Sequence, residues 1–64
     1  MRPGDTVAAE AVRALPEGSE IVDALGFRYV VDGEGGCEFP LLGVVYDGED
    51  LVNEDGPFTL ATLP

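Results

Sequence analysis

A chain of 64 residues is predicted to form one small domain, which buries only about 60% of the surface of its unfolded chain. That size excludes a deep catalytic cleft of several hundred cubic ångströms. Thirteen acidic residues against three arginines give a net charge of −10, and lysine and histidine are absent. This charge disfavours binding to nucleic acid phosphates and favours a partner protein with a basic surface.

Cysteine usage and hydropathy exclude further classes of protein, those that depend on disulfides, on zinc or on a membrane span. Cys37 is the single cysteine, so no intrachain disulfide can form. Without histidine, neither a Cys–His nucleophilic pair nor a zinc site can form, and a small apolar filler is the expected role of the thiol. The longest nearly apolar run, Pro40–Tyr46, is too short to span a bilayer, and the first twenty residues lack a signal-peptide pattern. We therefore predict a soluble protein that is not secreted and has no membrane partner.

The first predicted element is a helix over about residues 6–15. Asp5 and Thr6 are typical N-cap residues, and Pro16 and Gly18 end the helix. Its apolar residues share one helical face, which is predicted to cover a sheet. They are Val7, Ala8, Ala11, Val12 and Leu15.

A β-hairpin follows, with strands over about 19–24 and 27–32. A two-residue turn at Leu25-Gly26 would place Asp23 opposite Arg28. The same turn pairs Val22 with Tyr29 and Ile21 with Val30. Leucine fits poorly at a turn position that needs a positive φ, so a three-residue or bulged loop stays open as an alternative.

The second half of the chain is predicted to contain three shorter strands. A glycine-rich turn leads into a strand over about 37–42, and Pro40 within it favours an edge position. A strand over about 44–46 follows, and residues 47–56 form either a loop or one helical turn. The closing strand, about 58–63, alternates large apolar with small or polar residues, so Phe58 and Leu60 are expected to face inward.

These elements predict a mainly β, small α+β fold. It is an antiparallel sheet or a small SH3-like barrel of three to five strands, with a short N-terminal helix packed on it.

Three patterns imitate catalytic or binding motifs without completing them. The acids of residues 47–55 lack the ligand spacing of a calcium-binding EF-hand loop. The glycine-rich turn at residues 33–36 is followed by no helix with Lys or Ser/Thr, and its neighbouring acids would repel phosphate. Paired carboxylates such as Glu49 and Asp50 lack a pocket in which to act. We predict no catalytic residue, no metal and no cofactor.

The acidic second half supplies the candidate interaction residues. They are Tyr46, Asp47, Glu49, Asp50, Glu54 and Asp55, with Tyr46 as an aromatic anchor. If the segment is helical, Asp47, Asp50 and Glu54 would form a row of charges that resembles a phosphate array. The alternative is that these charges only keep a small apolar domain in solution.

Two stretches resemble small uncharacterised β-rich accessory proteins of actinobacterial phages. They are Ala14–Gly26, which reads ALPEGSEIVDALG, and Gly56–Leu60, which reads GPFTL. The resemblance implies a helix, a hairpin and a closing strand, and it carries over no catalytic residue. Leu25 and Tyr29 depart from the usual Asp and Trp of that family, and residues 43–55 match nothing in it.

The functional hypothesis is a non-enzymatic phage accessory protein in the host cytoplasm. It would bind a host or phage protein through its acidic surface or a sheet edge, and assembly into a homo-oligomer or a larger complex would compensate for the small core. Two alternatives are a virion decoration or tail accessory subunit held by strand addition, and a DNA mimic that inhibits a basic host protein.

Overall fold

The computed structural model describes residues 1–64, which form six short strands and two short helical segments. The strands are β1 (Thr6–Val7), β2 (Glu20–Val22), β3 (Arg28–Val31), β4 (Gly36–Phe39), β5 (Val44–Asp47) and β6 (Phe58–Thr62). A 3₁₀ helix covers Ala9–Ala14, and helix α1 covers Gly48–Asp55. The prediction of a mainly β, small α+β fold is confirmed.

All strands belong to one open antiparallel sheet in the order β1-β6-β2-β3-β4-β5. Strand β6 lies between β1 and β2, and the edge strands of the sheet are β1 and β5. The count is six rather than three to five because Thr6 and Val7 pair with Thr59 and Phe58. Neither helical segment has the length and the apolar run that a bilayer span requires.

One face of the sheet carries the hydrophobic core, and the two helical segments pack over part of it. Phe58 and Leu60 are buried, as the alternation in the closing strand predicted. Ser19 is the one buried polar residue, and its hydroxyl donates to the carbonyl oxygen of Pro16 at 2.7 Å. The core residues are Val7, Val12, Leu15, Ile21, Tyr29, Val31, Cys37, Leu51, Phe58 and Leu60.

The predicted helix over residues 6–15 is wrong in its start and its type. Asp5 and Thr6 do not cap a helix, because the carbonyl of Asp5 accepts from the N–H of Leu60 at 2.9 Å and Thr6 lies in β1. Sheet pairing thus outweighs the helical preference of this segment. The six residues that remain before Leu15 form a 3₁₀ helix, of which Val12 is buried.

The hairpin register differs by one residue from the two-residue turn. Ile21 pairs with Tyr29 and Val22 with Arg28, which leaves a loop over residues 23–27. The carboxylate of Asp23 accepts from the N–H groups of Leu25 and Phe27, both at 2.9 Å, and so holds the longer loop. Gly26 takes the positive φ of 92°, so leucine avoids it.

That shift has two consequences for the side chains. A one-residue change of register turns one strand over relative to the other, so Ile21, and not Val22, lies on the core face with Tyr29. Arg28 forms its ion pair with Glu20 at 2.7 Å instead of with Asp23. This exposed pair is the only salt bridge of the chain, and such pairs contribute about 0–1 kcal/mol.

In the second half of the chain, β4 is shorter than predicted, and the edge of the sheet is a different strand. β4 ends at Phe39 because Pro40 begins a turn, which the N–H of Gly43 closes on the carbonyl of Phe39 at 2.9 Å. β4 lies between β3 and β5, so the prediction that it forms an edge is wrong. Residues 48–55 form two helical turns rather than a loop or a single turn.

We expect Ile21→Ala to lower the free energy of unfolding by about 2–5 kcal/mol, because Ile21 lies wholly in the core. Val22→Ala, on the outer face, should cost less than about 1 kcal/mol. Urea unfolding followed by circular dichroism measures both. If Val22→Ala were the more damaging change, the register with a two-residue turn would be correct.

Candidate functional site

Strand β5 is an open edge whose four residues are all exposed. It pairs only with β4, and its other side faces solvent. Three of its side chains are apolar or aromatic, and Val45 is 62% exposed. Tyr46 and Asp47, which the sequence singled out, therefore lie on an exposed apolar edge.

The backbone of β5 presents hydrogen-bonding groups to solvent at two residues. The N–H of Gly48 donates to the carbonyl of Gly35 at 2.7 Å, which fixes the phase of the antiparallel ladder. Bonded pairs alternate with non-bonded pairs, so Tyr46 and Val44 point their backbone groups toward β4. The N–H and C=O of Val45 and the N–H of Asp47 therefore point outward, where a further strand would lie.

On the core side of β5, aromatic rings continue the core to the edge. The ring of Tyr46 lies 6.1 Å from that of Tyr29, and Tyr29 lies 5.1 Å from Phe39. Val44 pairs with Phe39 across the ladder. Burial and the nearby Asp23 and Asp55 raise the pKa of the Tyr29 hydroxyl. Tyr46 and Val44 thus form an apolar shelf that stays partly exposed.

On the outer face, a shallow acidic groove runs beside β5. Val30, Glu38 and Val45 face outward at paired positions of β3, β4 and β5. They line a depression of about 390 Å³ together with Glu17 and Asp32, and no basic residue lines it. We call this feature the outer groove, defined by Glu17, Gly18, Val30, Val31, Asp32, Glu38 and Val45.

One wall of the outer groove is held by a carboxylate in a tight turn. Oδ1 of Asp32 accepts from the N–H groups of Glu34 and Gly36 at 2.7 and 2.9 Å. These two bonds are the main cause that lowers the pKa of Asp32 below its ordinary value of 3.8. Asp32 is therefore an anion in a fixed position at neutral pH.

The remaining predicted acids divide between the two ends of α1. Asp47 is its N-cap, with Oδ1 accepting from the N–H of Asp50 at 3.1 Å, and Glu49 lies in the same turn, where negative charge stabilises the helix. Glu54 and Asp55 lie in the last turn, which has no basic residue. The segment is helical, as a row of Asp47, Asp50 and Glu54 requires, and the use of that row as a phosphate-like array stays a prediction.

A second depression, of about 210 Å³, lies between the 3₁₀ helix and the start of α1. Asp47, Glu49 and Asp50 line it, but so does Arg13. The guanidinium of Arg13 places a positive charge among these acids, so a cationic ligand is favoured less here than at the outer groove.

The chemistry of the buried thiol follows from its surroundings. Cys37 is fully buried, and this burial is the main reason that its pKa is raised to about 11. The thiol is therefore protonated at neutral pH and is a weak nucleophile. No group of three acidic or cysteine side chains converges closely enough to hold a metal ion.

Three residues of this region were not among the predicted candidates: Val44 and Val45 of β5, and Glu38 of the neighbouring strand β4. The edge was predicted at β4, because Pro40 was placed inside that strand. The useful signal was the run Val44–Tyr46, which is apolar and lacks the lysine or proline that commonly protects an edge.

Comparisons of the chain with protein-family models, with curated proteins and with solved structures gave no match. The resemblance to actinobacterial phage proteins therefore stays a prediction.

The junction of β5 and α1 depends on a close approach at Gly48. A Cβ at this position would lie 2.5 Å from Cγ1 of Val12 and 2.7 Å from the carbonyl oxygen of Gly35. We expect Gly48→Ala to lower the free energy of unfolding by about 1–3 kcal/mol because the packed backbone must move. Asn53→Ala, at an exposed and uncharged position of the same helix, is the control for thermal unfolding. Equal melting temperatures for the two variants would contradict this packing.

The capping role of Asp32 predicts a pH-dependent stability. Because its pKa is lowered in the folded state, its contribution is complete above the ordinary value of 3.8 and is lost as the pH falls through the lower folded-state pKa. Asp32→Ala should therefore lower the melting temperature at pH 7, and the difference from the parent should shrink in acid. Glu34→Ala, in the same turn, is the control. A difference that stays constant down to pH 2 would show that the charge of Asp32 is not involved.

Proposed function

We propose that this chain is a non-enzymatic protein-binding module that accepts an extended segment of a partner protein as an added strand beside β5. The observation that carries the proposal is the edge itself. All four residues of Val44–Asp47 are exposed, and the backbone groups of Val45 and Asp47 have no partner on the open side. Strand addition is a common mode of peptide recognition.

The lack of protection at β5 favours a binding role over an incidental edge. Proteins commonly block edge strands with lysine, proline, a bulge or a covering loop, because an open apolar edge promotes aggregation. β5 has none of these within Val44–Asp47. The opposite edge, β1, has only two residues and leads directly into the 3₁₀ helix.

The chemistry of the edge suits a protein better than a nucleic acid. Its backbone donors and acceptor can pair with another polypeptide backbone, and Val44 and Tyr46 offer apolar contact on the core side. A net charge of −10 repels phosphates. The protonated Cys37 and the absence of histidine support a binding role rather than catalysis.

The short edge sets the expected strength of binding. Three outward backbone groups contribute about 0.5–1.5 kcal/mol each, and the exposed apolar side chains add burial. The interface belongs with transient contacts of less than about 1,200 Å². Such a contact suits a regulatory or accessory protein, and the resemblance to accessory proteins of phages supports a role of this kind.

A random twelve-residue peptide library, selected on the immobilised protein, tests the strand addition. We expect the selected peptides to lose about tenfold or more in affinity for Val45→Pro, which removes an outward N–H and obstructs the edge. Val45→Thr keeps the N–H and is the matched control, which should bind within about threefold of the parent. Fluorescence anisotropy gives the dissociation constants.

Amide hydrogen exchange gives a second measurement on the same complexes. The bound peptide should slow the exchange of the Val45 and Asp47 amides, which are open in the free protein. Selected peptides that bind Val45→Pro as tightly as the parent would contradict the proposal, and so would a selection that enriches no peptide.

A further inference from the structure

We propose that the outer groove is a binding site for a lysine or arginine side chain of the added strand, so that the partner segment is basic. This inference rests on the proposed function, since the strand beside β5 delivers the side chain. It goes beyond that function because it states the chemistry of the segment and the position of the charge.

The hydrogen-bond phase of β5 identifies that position. Val45 directs both its N–H and its C=O outward, so an antiparallel segment exchanges two hydrogen bonds with Val45 through the one residue directly opposite. The side chain of that residue lies on the same face as Val45, beside the outer groove. Its two neighbours point to the other face, toward Val44 and Tyr46.

The shape and charge of the outer groove fit a long cationic side chain. Val45 provides apolar contact for an aliphatic stem, and Glu38 lies next to it on β4. Lysine and arginine commonly bury such stems while their charged ends stay in water. About two strand spacings, or 9.6 Å, separate the added strand from β4, and a long basic side chain together with that of Glu38 can span this distance.

The charges of the outer groove are available to such a ligand. Neither Glu38 nor Glu17 forms a salt bridge or a side-chain hydrogen bond, whereas Asp32 uses Oδ1 in its turn and already interacts with the charge of Arg13. Arg28, the one base on the outer face of the strands, is paired with Glu20. The partner is therefore predicted to carry the pattern apolar, basic, apolar, with the basic residue opposite Val45.

Charge also decides between a basic segment and a second copy of this chain. Two β5 strands could pair with each other, but each copy brings a net charge of −10, and Arg13, the base nearest to β5, lies among Asp47, Glu49 and Asp50. The mutual repulsion opposes a dimer, whereas a basic segment gains from the same field. A basic segment is therefore the occupant that we propose.

The peptides selected above provide the test. We expect an enriched lysine or arginine between two apolar residues. Replacing that lysine with norleucine keeps the stem, removes the charge and should weaken binding. Neutralising two walls in Glu17→Gln/Glu38→Gln should cost about three- to tenfold in affinity, given the modest contribution of each exposed pair. Glu10→Gln/Glu34→Gln, which changes the net charge equally at exposed positions outside the groove lining and outside the candidate interaction residues, should cost about twofold or less.

The outcomes separate the two proposals. If Val45→Pro abolishes binding but the selected peptides lack the basic residue, the edge function stands and the groove site is wrong. The site is also wrong if both double variants weaken binding equally, because the effect is then one of overall charge. A dimer that sediments as such and is lost in Val45→Pro would replace the basic segment with a second copy.

Discussion

The insertion of β6 between β1 and β2 is the constraint on which the rest of the fold depends. Without it, neither the first strand nor β2 would have a partner on that side of the sheet. Phe58 pairs with Val7 and Leu60 with Ile21, and all four side chains are buried. So small a domain has one thin core. The closing strand joins residues that lie far apart in the chain, which costs loop-closure entropy. It also leaves β5, with four residues, as the longer of the two edge strands.

The sequence predicted the fold class because alternation and turn residues act locally. The closing strand, the hairpin and the inward direction of Phe58 and Leu60 could be predicted in this way. The register of the hairpin could not, because Asp23 holds the loop through its side chain and thereby overrides the shortest turn. The type of the first helix also depended on a distant partner, since β1 exists only through β6.

The open edge at β5 was harder to predict than the acids around it. Tyr46 and Asp47 were identified as candidates from residue type. Val44, Val45 and Glu38 become candidates only when the order of the strands in the sheet is known. Pro40 marks the end of β4 and the start of the turn that leads into β5. The acids likewise divide by position: some cap or flank α1, and others line a face with no base.

The chain ends lie together on the side of the sheet away from β5. The N–H of Gly4 donates to the carbonyl of Leu60 at 2.8 Å, and β2, β3 and β4 separate β6 from β5. The N-terminus can therefore be joined to a surface, a label or a second protein without covering the open edge, whereas Pro64 at the other end lies beside Gly18 of the outer groove. Under the proposed function, attachment at the N-terminus and binding of a partner at β5 would take place at opposite borders of the sheet.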